Sequence, residues 1–225
     1  MTLGRATLLV GSPRPRGTST SEALGRYLLG SLERAGVATE VLFLGALRGP
    51  RVEAELAPAV AGSDLVVLAA PVYVDALPAP VTAALEGLAA ARARWAHRDP
   101  PRLVALVNCG FPGAVHAGTA LDISHAFAEA AGLAWSGGLA LGGGEALHGK
   151  PLERAGRTAV RVRRALDLTA AALLSGRPVP DDAVTLMAAP LVPPRVYTLM
   201  GNVGWLKQAY AHGAVRRLWN RPYSQ

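Results

Sequence analysis

The sequence of 225 residues contains a single cysteine, Cys109. One thiol cannot form a disulfide within the chain, which excludes the small disulfide-stabilised secreted folds and favours a reducing cytoplasm. No run of 18 or more uncharged apolar residues is present, so we expect no membrane span. The first strand-like run begins close to Met1, and no signal peptide is evident before it. Together these absences predict a cytoplasmic protein.

Charged residues are also scarce. They make up 17% of the chain against 51% for apolar residues, a balance typical of a protein that buries both faces of a sheet and not of a disordered chain. Only Lys150 and Lys207 are lysines, so arginine supplies the other 21 of the 23 basic residues. The net charge is +7, but we find neither a nucleic-acid-binding module nor basic residues clustered on one face. We therefore expect no nucleic-acid partner.

The C-terminal segment lacks acidic residues altogether. From Ala183 to Gln225 there are five basic residues and no aspartate or glutamate. Only 5% of the chain is aromatic, yet five of its twelve aromatic residues lie in this segment: Tyr197, Trp205, Tyr210, Trp219 and Tyr223. We predict that residues 178–225 form a proline-rich linker and a basic, aromatic arm, with one helix from about Val203 to Leu218 that is interrupted at Gly213.

Residues 1–177 alternate between apolar runs and helical patterns. Near-continuous apolar runs bounded by turn residues are typical of parallel strands covered on both faces. Alternating strands and helices form right-handed βαβ units, so we predict an α/β domain with an open, doubly wound sheet. The five predicted strands are Ala6–Val10, Thr39–Leu44, Leu65–Ala70, Leu103–Val107 and Leu133–Leu141.

The helical segments between the strands carry apolar residues every three or four positions. One stripe runs from Leu24 to Ala35 and ends at Gly36, and another runs from Val81 to Trp95 behind Pro78 and Pro80. In a doubly wound sheet, ligands bind beyond the carboxyl ends of the strands. The loops that follow residues 10, 70, 107 and 141 are therefore the candidate functional loops.

The first loop, Gly11–Thr20, is rich in hydroxyl groups and precedes a helix that begins near Ser21. A helix N-terminus offers free N–H groups and the positive end of its dipole to an anion. Side-chain donors come from Ser12, Arg14, Thr18, Ser19 and Thr20.

The loop has neither the Gly-Lys-Ser/Thr end of a Walker loop nor a Gly-x-Gly-x-x-Gly fingerprint. A low-molecular-weight tyrosine phosphatase is excluded because Cys109 lies in another loop. We predict that the loop binds a phosphomonoester without cleaving it; the alternative is an ordinary capped helix behind a polar turn.

The later loops are suited to a flat ligand. The second, Pro71-Val72-Tyr73-Val74, ends an apolar strand with a turn against which an aromatic ring can lie; Tyr73 as an ordinary half-buried loop residue is the alternative. The third, Asn108-Cys109-Gly110-Phe111, allows the backbone to approach a ligand closely, and Cys109 is interpreted as a small neutral filler. The fourth, Gly142–Glu145, either contacts a ligand or is a flexible exit from the last strand.

These loops resemble those of the flavodoxin-like NAD(P)H-dependent FMN reductase and quinone oxidoreductase family. The segments that carry the resemblance are Gly11–Arg14 with Gly17–Ser19, Pro71–Tyr73 with Pro78 and Pro80, and Asn108–Pro112. The resemblance covers roughly residues 5–175 and implies a five-stranded parallel sheet in the order 2-1-3-4-5. It implies that Ser12, Arg14, Thr18, Ser19 and Thr20 contact the FMN phosphate. It also implies that the ring contacts Pro71, Val72, Tyr73, Val74, Asn108, Cys109, Gly110 and Phe111.

The resemblance also implies a function. Members of the family pass hydride from NAD(P)H through FMN to a quinone or similar small acceptor, so we predict no catalytic side chain and no metal. Asp122, His125 and His116 lie close in sequence but are interpreted as solvated helix residues. An electron carrier such as flavodoxin and a flavin-free interaction module are the alternatives.

The resemblance extends to assembly, since members of this fold often build their active sites at dimer interfaces. We therefore predict a homo-oligomer. We expect the aromatic arm to pack on its own domain or on a second subunit, and peripheral membrane contact is the alternative for a basic, aromatic helix.

Overall fold

The computed structural model describes residues 3–47, 49–91 and 99–220. Within them, all five predicted strands form one parallel sheet in the order β2-β1-β3-β4-β5. Both the strands and the order implied by the resemblance are confirmed. The strands are β1 (Arg5–Val10), β2 (Ala38–Phe43), β3 (Leu65–Pro71), β4 (Arg102–Asn108) and β5 (Ala134–Leu141).

Helices cover both faces of the sheet. They are α1 (Thr20–Glu33), α2 (Ala57–Ala61), α3 (Ala79–Ala91), α4 (Gly118–Ala130), α5 (Val160–Leu174), α6 (Asp181–Ala188) and α7 (Pro194–Ala211). A π-helical turn, Val52–Leu56, leads into α2. None of the described helices is both long enough and apolar enough to cross a membrane.

The sheet separates two apolar cores because successive strand residues point to opposite faces. Leu8 and Val10 of β1 belong to the core that contains residues of α1, α5 and α6. Leu9, between them, belongs to the core formed with α2, α3 and α4. Both faces of the central strands are thus buried, which explains why these strands read as continuous apolar runs in the sequence.

The strand register brings the candidate loops to one edge. Val10 pairs with Phe43 on one side and with Ala69 on the other. Asn108 pairs with both Pro71 and Leu141. The strands β1, β3, β4 and β5 therefore end at about the same level, and the loops that follow them share the carboxyl edge of the sheet.

The C-terminal segment differs from the prediction. Its long helix, α7, begins at Pro194 and ends before Gly213, so the predicted span from Val203 to Leu218 was wrong at both ends. Pro193 and Pro194 suggested a linker, but proline is well tolerated in the first turn of a helix. A shorter helix, α6, precedes it and buries Ala183 and Met187 in the core.

The arm adds little to the core. No residue of α7 is buried, although Tyr197 in its first turn bonds to Gly110 of the domain. The two arrangements expected for the arm, packing on its own domain or on a second subunit, stay predictions. Trp95, at the end of the second predicted stripe, and Tyr223 of the arm lie outside the described residues.

Candidate functional site

A cleft lies where the first, second, third and fourth loops meet at the carboxyl edge of the sheet. Its walls come from segments far apart in the sequence, and it lies between the N-terminus of α1 and the ends of β3 and β4. The lining residues are Ser12, Arg14, Ser19, Thr20, Ser21, Pro71, Val72, Tyr73, Asn108, Gly110 and Glu145.

The N-terminus of α1 offers free hydrogen-bond donors to this cleft. Ser19 caps the helix, accepting a hydrogen bond from the Glu22 N–H at 3.1 Å. Within the described residues, the backbone N–H groups of Ser19, Thr20 and Ser21 donate to no protein acceptor. A helix start that is buried in this way normally has a partner for these groups, and a bound anion is one such partner.

Two buried hydroxyls add to these donors. Ser12 and Ser19 are only 7% and 3% exposed. The Ser12 oxygen accepts from the Arg14 N–H at 3.3 Å, as the Ser19 oxygen does from Glu22. Each hydroxyl proton stays available for another acceptor among the described residues, because neither serine donates to one.

The other hydroxyls of this region hold the loops together instead. Thr20 Oγ1 donates to the Gly144 carbonyl at 2.9 Å, and Ser21 Oγ donates to Asn108 Oδ1 at 2.7 Å. Thr18 is exposed and its Oγ1 donates to the Pro15 carbonyl at 2.6 Å. The side chains of Thr18 and Thr20 are therefore engaged with protein acceptors, whereas those of Ser12 and Ser19 are not.

One ion pair crosses the cleft. Arg14 Nη2 lies 2.7 Å from Glu145 Oε1, and about half of each side chain is exposed. This pair links the first loop to the fourth. A second carboxylate, that of Glu22, is buried in the first turn of α1, where it accepts from the Gly17 N–H at 2.6 Å and pairs with Arg26 at 2.7 Å. The charge of Glu22 is thus balanced by Arg26, and Arg14 is the basic side chain that lines the cleft.

The second loop is a tight hairpin. Tyr73 and Ala76 exchange two backbone hydrogen bonds of 2.9 and 3.2 Å, and the residues between them, Val74 and Asp75, both have positive φ. This geometry matches a two-residue hairpin turn with both central residues left-handed. Val74 is 99% exposed at the tip, whereas Pro71, Val72 and Tyr73 line the cleft.

The third and fourth loops are bonded to each other through the backbone. Gly143 N donates to the Phe111 carbonyl at 2.6 Å and Gly144 N donates to the Cys109 carbonyl at 2.9 Å. A Cβ at Gly142 would lie 2.5 Å from the Pro112 carbonyl oxygen, so only glycine allows this approach. The fourth loop is therefore an ordered wall of the cleft.

The Cys109 thiol faces away from the cleft lining. It is 3% exposed and lies 3.5 and 3.6 Å from the carbonyl oxygens of Phe111 and Gly113. Burial raises the pKa of this thiol above its ordinary value. The neutral thiol is thus favoured, which suits the role of a small filler.

The cleft contains nine of the thirteen predicted site residues. Four do not line it: Thr18, Val74, Cys109 and Phe111. Phe111 is 60% exposed and packs against His116, with ring centroids 4.7 Å apart. Ser21 and Glu145 line the cleft but were not predicted. Ser21 directly follows the predicted hydroxyl run, and Glu145 belongs to the fourth loop, so each was adjacent to a recognised signal.

A residue of the C-terminal segment also reaches the site. Tyr197, in the first turn of α7, donates its hydroxyl to the Gly110 carbonyl at 2.7 Å. Its ring lies 3.4 Å from the position of a Cβ at Gly143. Burial raises the pKa of the Tyr197 phenol, with Glu145 and Cys109 adding to the effect, so the phenol is a neutral donor. No local sequence signal connects Tyr197 to a loop 87 residues earlier.

The two histidines that lie close in sequence, His116 and His125, contact different aromatic rings. His125 stacks on Trp135 with ring centroids 5.0 Å apart, and His116 packs on Phe111. Among the described residues, no three His, Cys, Asp or Glu side chains are arranged to hold a metal ion.

The fold and the loops agree with a comparison against known families. The model of the NADPH-dependent FMN reductase family matches residues 5–134, which is more than half of the chain. The chain belongs to this family. The matched region includes the first three loops of the cleft and ends before the fourth loop and the C-terminal arm.

Solved structures support the fold. An azoreductase from Bacillus anthracis str. Sterne superposes with a TM-score of 0.52 and 12% identity, covering 73% of this chain and 99% of its own. A protein assigned as a quinone reductase, from Klebsiella pneumoniae, superposes with a TM-score of 0.57 and 15% identity, covering 79% of this chain and 87% of its own. No curated protein sequence matches. At these identities the likeness establishes the flavodoxin-like fold.

FMN is the cofactor of this family, with NAD(P)H as the electron donor. The cleft fits the phosphate end of FMN on structural grounds. The residues that line it supply three free N–H groups, two buried hydroxyls and one arginine, which are the kinds of donor that bind a dianionic phosphate. The wall opposite is formed by the second and third loops, which present the half-exposed Tyr73 beside backbone groups.

Proposed function

We propose that the protein passes hydride from NAD(P)H, by way of bound FMN, to a quinone or a similar small acceptor. Membership of the family makes it an FMN-dependent NAD(P)H oxidoreductase, and the acceptor is the part proposed here. The single observation that carries the cofactor site is the set of free N–H groups at Ser19, Thr20 and Ser21. Because the chain has one cysteine, we also propose a cytoplasmic location.

The first loop binds the phosphate in this proposal. The N–H groups of α1 and the hydroxyls of Ser12 and Ser19 donate to phosphate oxygens, and Arg14 supplies the balancing charge. Thr20 and Ser21 position these groups, because their hydroxyls fix the helix start to Gly144 and Asn108. The donors are therefore held in place before the cofactor arrives, which lowers the entropy lost on binding.

The second and third loops orient the flat part of the cofactor. Pro71, Val72 and Tyr73 of the second loop line the cleft together with Asn108 and Gly110 of the third. Bound FMN supplies the hydride-transfer chemistry, so no acid or base from the protein is required. The half-exposed Tyr73 leaves the cleft open on one side, which supports access by a flat acceptor.

The experiment compares FMN with riboflavin, which lacks the phosphate. We expect the purified protein to bind FMN, measured by quenching of flavin fluorescence, more tightly than riboflavin. Ser12→Ala and Arg14→Ala are expected to weaken FMN binding by about tenfold or more and to leave riboflavin binding nearly unchanged. Ser31→Ala, in the last turns of α1, is the matched control because its hydroxyl bonds to the Tyr27 carbonyl of the same helix. Equal effects on both flavins would place the phosphate elsewhere.

Turnover distinguishes the enzyme from an electron carrier. We expect anaerobic oxidation of NADPH or NADH in steady state when a water-soluble quinone is added to the FMN-loaded protein. Tight FMN binding without turnover would favour a carrier, and absence of flavin binding would favour an interaction module. The homo-oligomer predicted from the sequence stays a prediction, which light scattering of the purified protein will test.

A further inference from the structure

The C-terminal arm, defined here as residues 194–220, contains no buried residue. It consists of α7 and the 3-10 turn Val215–Arg217, and no residue of either is buried. The Tyr197 hydroxyl bond to Gly110 joins its first turn to the third loop. The internal glycines Gly201 and Gly204 weaken the helix, and most of the stability of a helix in a protein comes from packing of its apolar face. The arm therefore needs a binding surface beyond its own domain.

The exposed side chains of the arm are apolar and aromatic. Trp205 is 77% exposed and Trp219 is 91% exposed, and other large apolar side chains of the arm are exposed as well. The most exposed of these are Leu199, Met200, Trp205, Leu206, Tyr210 and Trp219. A cluster of this kind marks an interaction surface. Tryptophan and tyrosine in particular favour the boundary between lipid headgroups and acyl chains.

The positive charge of the arm favours an anionic lipid surface over a second copy of the arm as its partner. Arg195, Lys207, Arg216 and Arg217 lie on it, and no acidic residue occurs after Asp182. Pairing with the arm of a second copy would bring these cations together. An anionic lipid surface is complementary to them, and basic residues that flank an apolar segment are typical of such contacts.

We propose that the arm binds the surface of a bilayer that contains anionic phospholipid, with its apolar side chains in the interface and without crossing the membrane. The arm lies beyond residues 5–134, which the family model matches. The Tyr197 bond keeps the start of the arm at the third loop, which places the cleft close to the bound surface. In that position apolar acceptors dissolved in the lipid reach the cleft, and this last step alone rests on the proposed function.

Co-sedimentation of the full-length protein with vesicles tests the proposal. Vesicles of phosphatidylcholine alone are compared with vesicles in which part of it is replaced by phosphatidylglycerol. We expect the partition coefficient to be at least about tenfold higher with the anionic vesicles and to fall as salt is raised. A double variant, Trp205→Ala with Trp219→Ala, is expected to lose most of this binding, and Arg216→Gln with Arg217→Gln to lose the preference for anionic lipid.

The control removes two positive charges, as many as the arginine variant of the arm, but from the surface of the domain. Arg34→Gln with Arg154→Gln removes two exposed arginines outside the arm and is expected to retain vesicle binding. All the altered residues are exposed, so thermal unfolding and FMN affinity are expected to be unchanged. FMN affinity therefore reports separately on the proposed function.

Three outcomes would overturn the proposal. Vesicle binding that is equal for neutral and anionic lipid removes the charge argument, and binding that survives the tryptophan variants assigns it to another surface. A dimer that dissociates in the tryptophan variants, with no vesicle binding, identifies a second copy of the chain as the partner.

Discussion

Ser21 donates a hydrogen bond from its hydroxyl to the side-chain oxygen of Asn108 across 2.7 Å, and both residues are buried. The bond joins the first turn of α1 to the end of β4, 87 residues away. The free N–H groups belong to the same turn of α1, and Asn108 also lines the cleft. The bond therefore fixes the position of the proposed phosphate-binding end of the cleft relative to the end of β4. The two halves of the site are thus fixed relative to each other.

Ser21→Ala is expected to destabilise the protein by about 1–3 kcal/mol, because the Asn108 oxygen loses its donor in a buried position. Urea unfolding measures the change. Ser124→Ala is the matched control, since Ser124 is equally buried but its hydroxyl bonds to Ala120 within its own helix. Its expected cost is smaller. Equal losses for the two variants would mean that the contact between α1 and β4 contributes nothing specific.

Gly149→Ala is expected to displace the first loop. A Cβ at Gly149 would lie 2.0 Å from the Thr18 carbonyl oxygen, and the φ of Gly149 is +63°. Gly156 has nearly the same φ, +62°, but open space around the position of its Cβ. Gly156→Ala therefore measures the backbone strain alone, about 1–2 kcal/mol. We expect Gly149→Ala to cost about 1–3 kcal/mol more and to weaken FMN binding as well. Similar unfolding midpoints and FMN affinities for the two variants would contradict this close contact.

Glu145→Gln is expected to strengthen FMN binding. Glu145 competes with a phosphate for Arg14, to which it is paired at 2.7 Å, and its charge repels the dianion. We expect the dissociation constant for FMN to fall by about threefold to tenfold at low salt and less at high salt, with riboflavin unaffected. Stability is expected to change by less than about 1 kcal/mol because the pair is half-exposed.

The control for this experiment is Glu55→Gln. Glu55 forms a similar exposed ion pair with Arg51 but does not line the cleft. Glu55→Gln therefore removes one negative charge from the protein, as Glu145→Gln does, but away from the cleft. Tighter FMN binding in both variants would attribute the effect to net charge, and weaker binding in Glu145→Gln would show that Glu145 assists the cofactor instead.

Cys109 is expected to react slowly with iodoacetamide in the folded protein. Burial raises the pKa of its thiol, so the reactive thiolate forms only at higher pH than for a free cysteine. Because the fold favours the neutral thiol, its contribution to stability is present below the ordinary cysteine pKa and is lost as pH rises through the folded value. At pH 8 we expect alkylation, followed by mass spectrometry, to be at least about tenfold slower than in urea. The single cysteine makes the signal unambiguous. Equal rates in buffer and urea would contradict the burial of the thiol.

Local periodicity was enough to locate the elements of the sheet. The runs around Leu8, Leu68 and Leu106 are buried on both faces, so their apolar continuity is visible without any knowledge of their neighbours. The same reasoning predicted a helix in the C-terminal segment but misplaced both ends of α7, which begins at Pro194 and buries no residue. A pattern that reports burial cannot fix the ends of a helix that buries no residue.

The sequence by itself determined where the strands lie, that their carboxyl ends carry the candidate loops, and that the first loop is rich in hydroxyl donors. Only the tertiary structure decided which hydroxyls are free, Ser12 and Ser19, and which are engaged in holding loops, Thr18 and Thr20. It alone brought Glu145 to Arg14 and Tyr197 to Gly110. The physical reason is that strand and helix patterns arise from neighbours along the chain, whereas the partner of a polar side chain is set by the register of strands and the crossing of loops from distant segments.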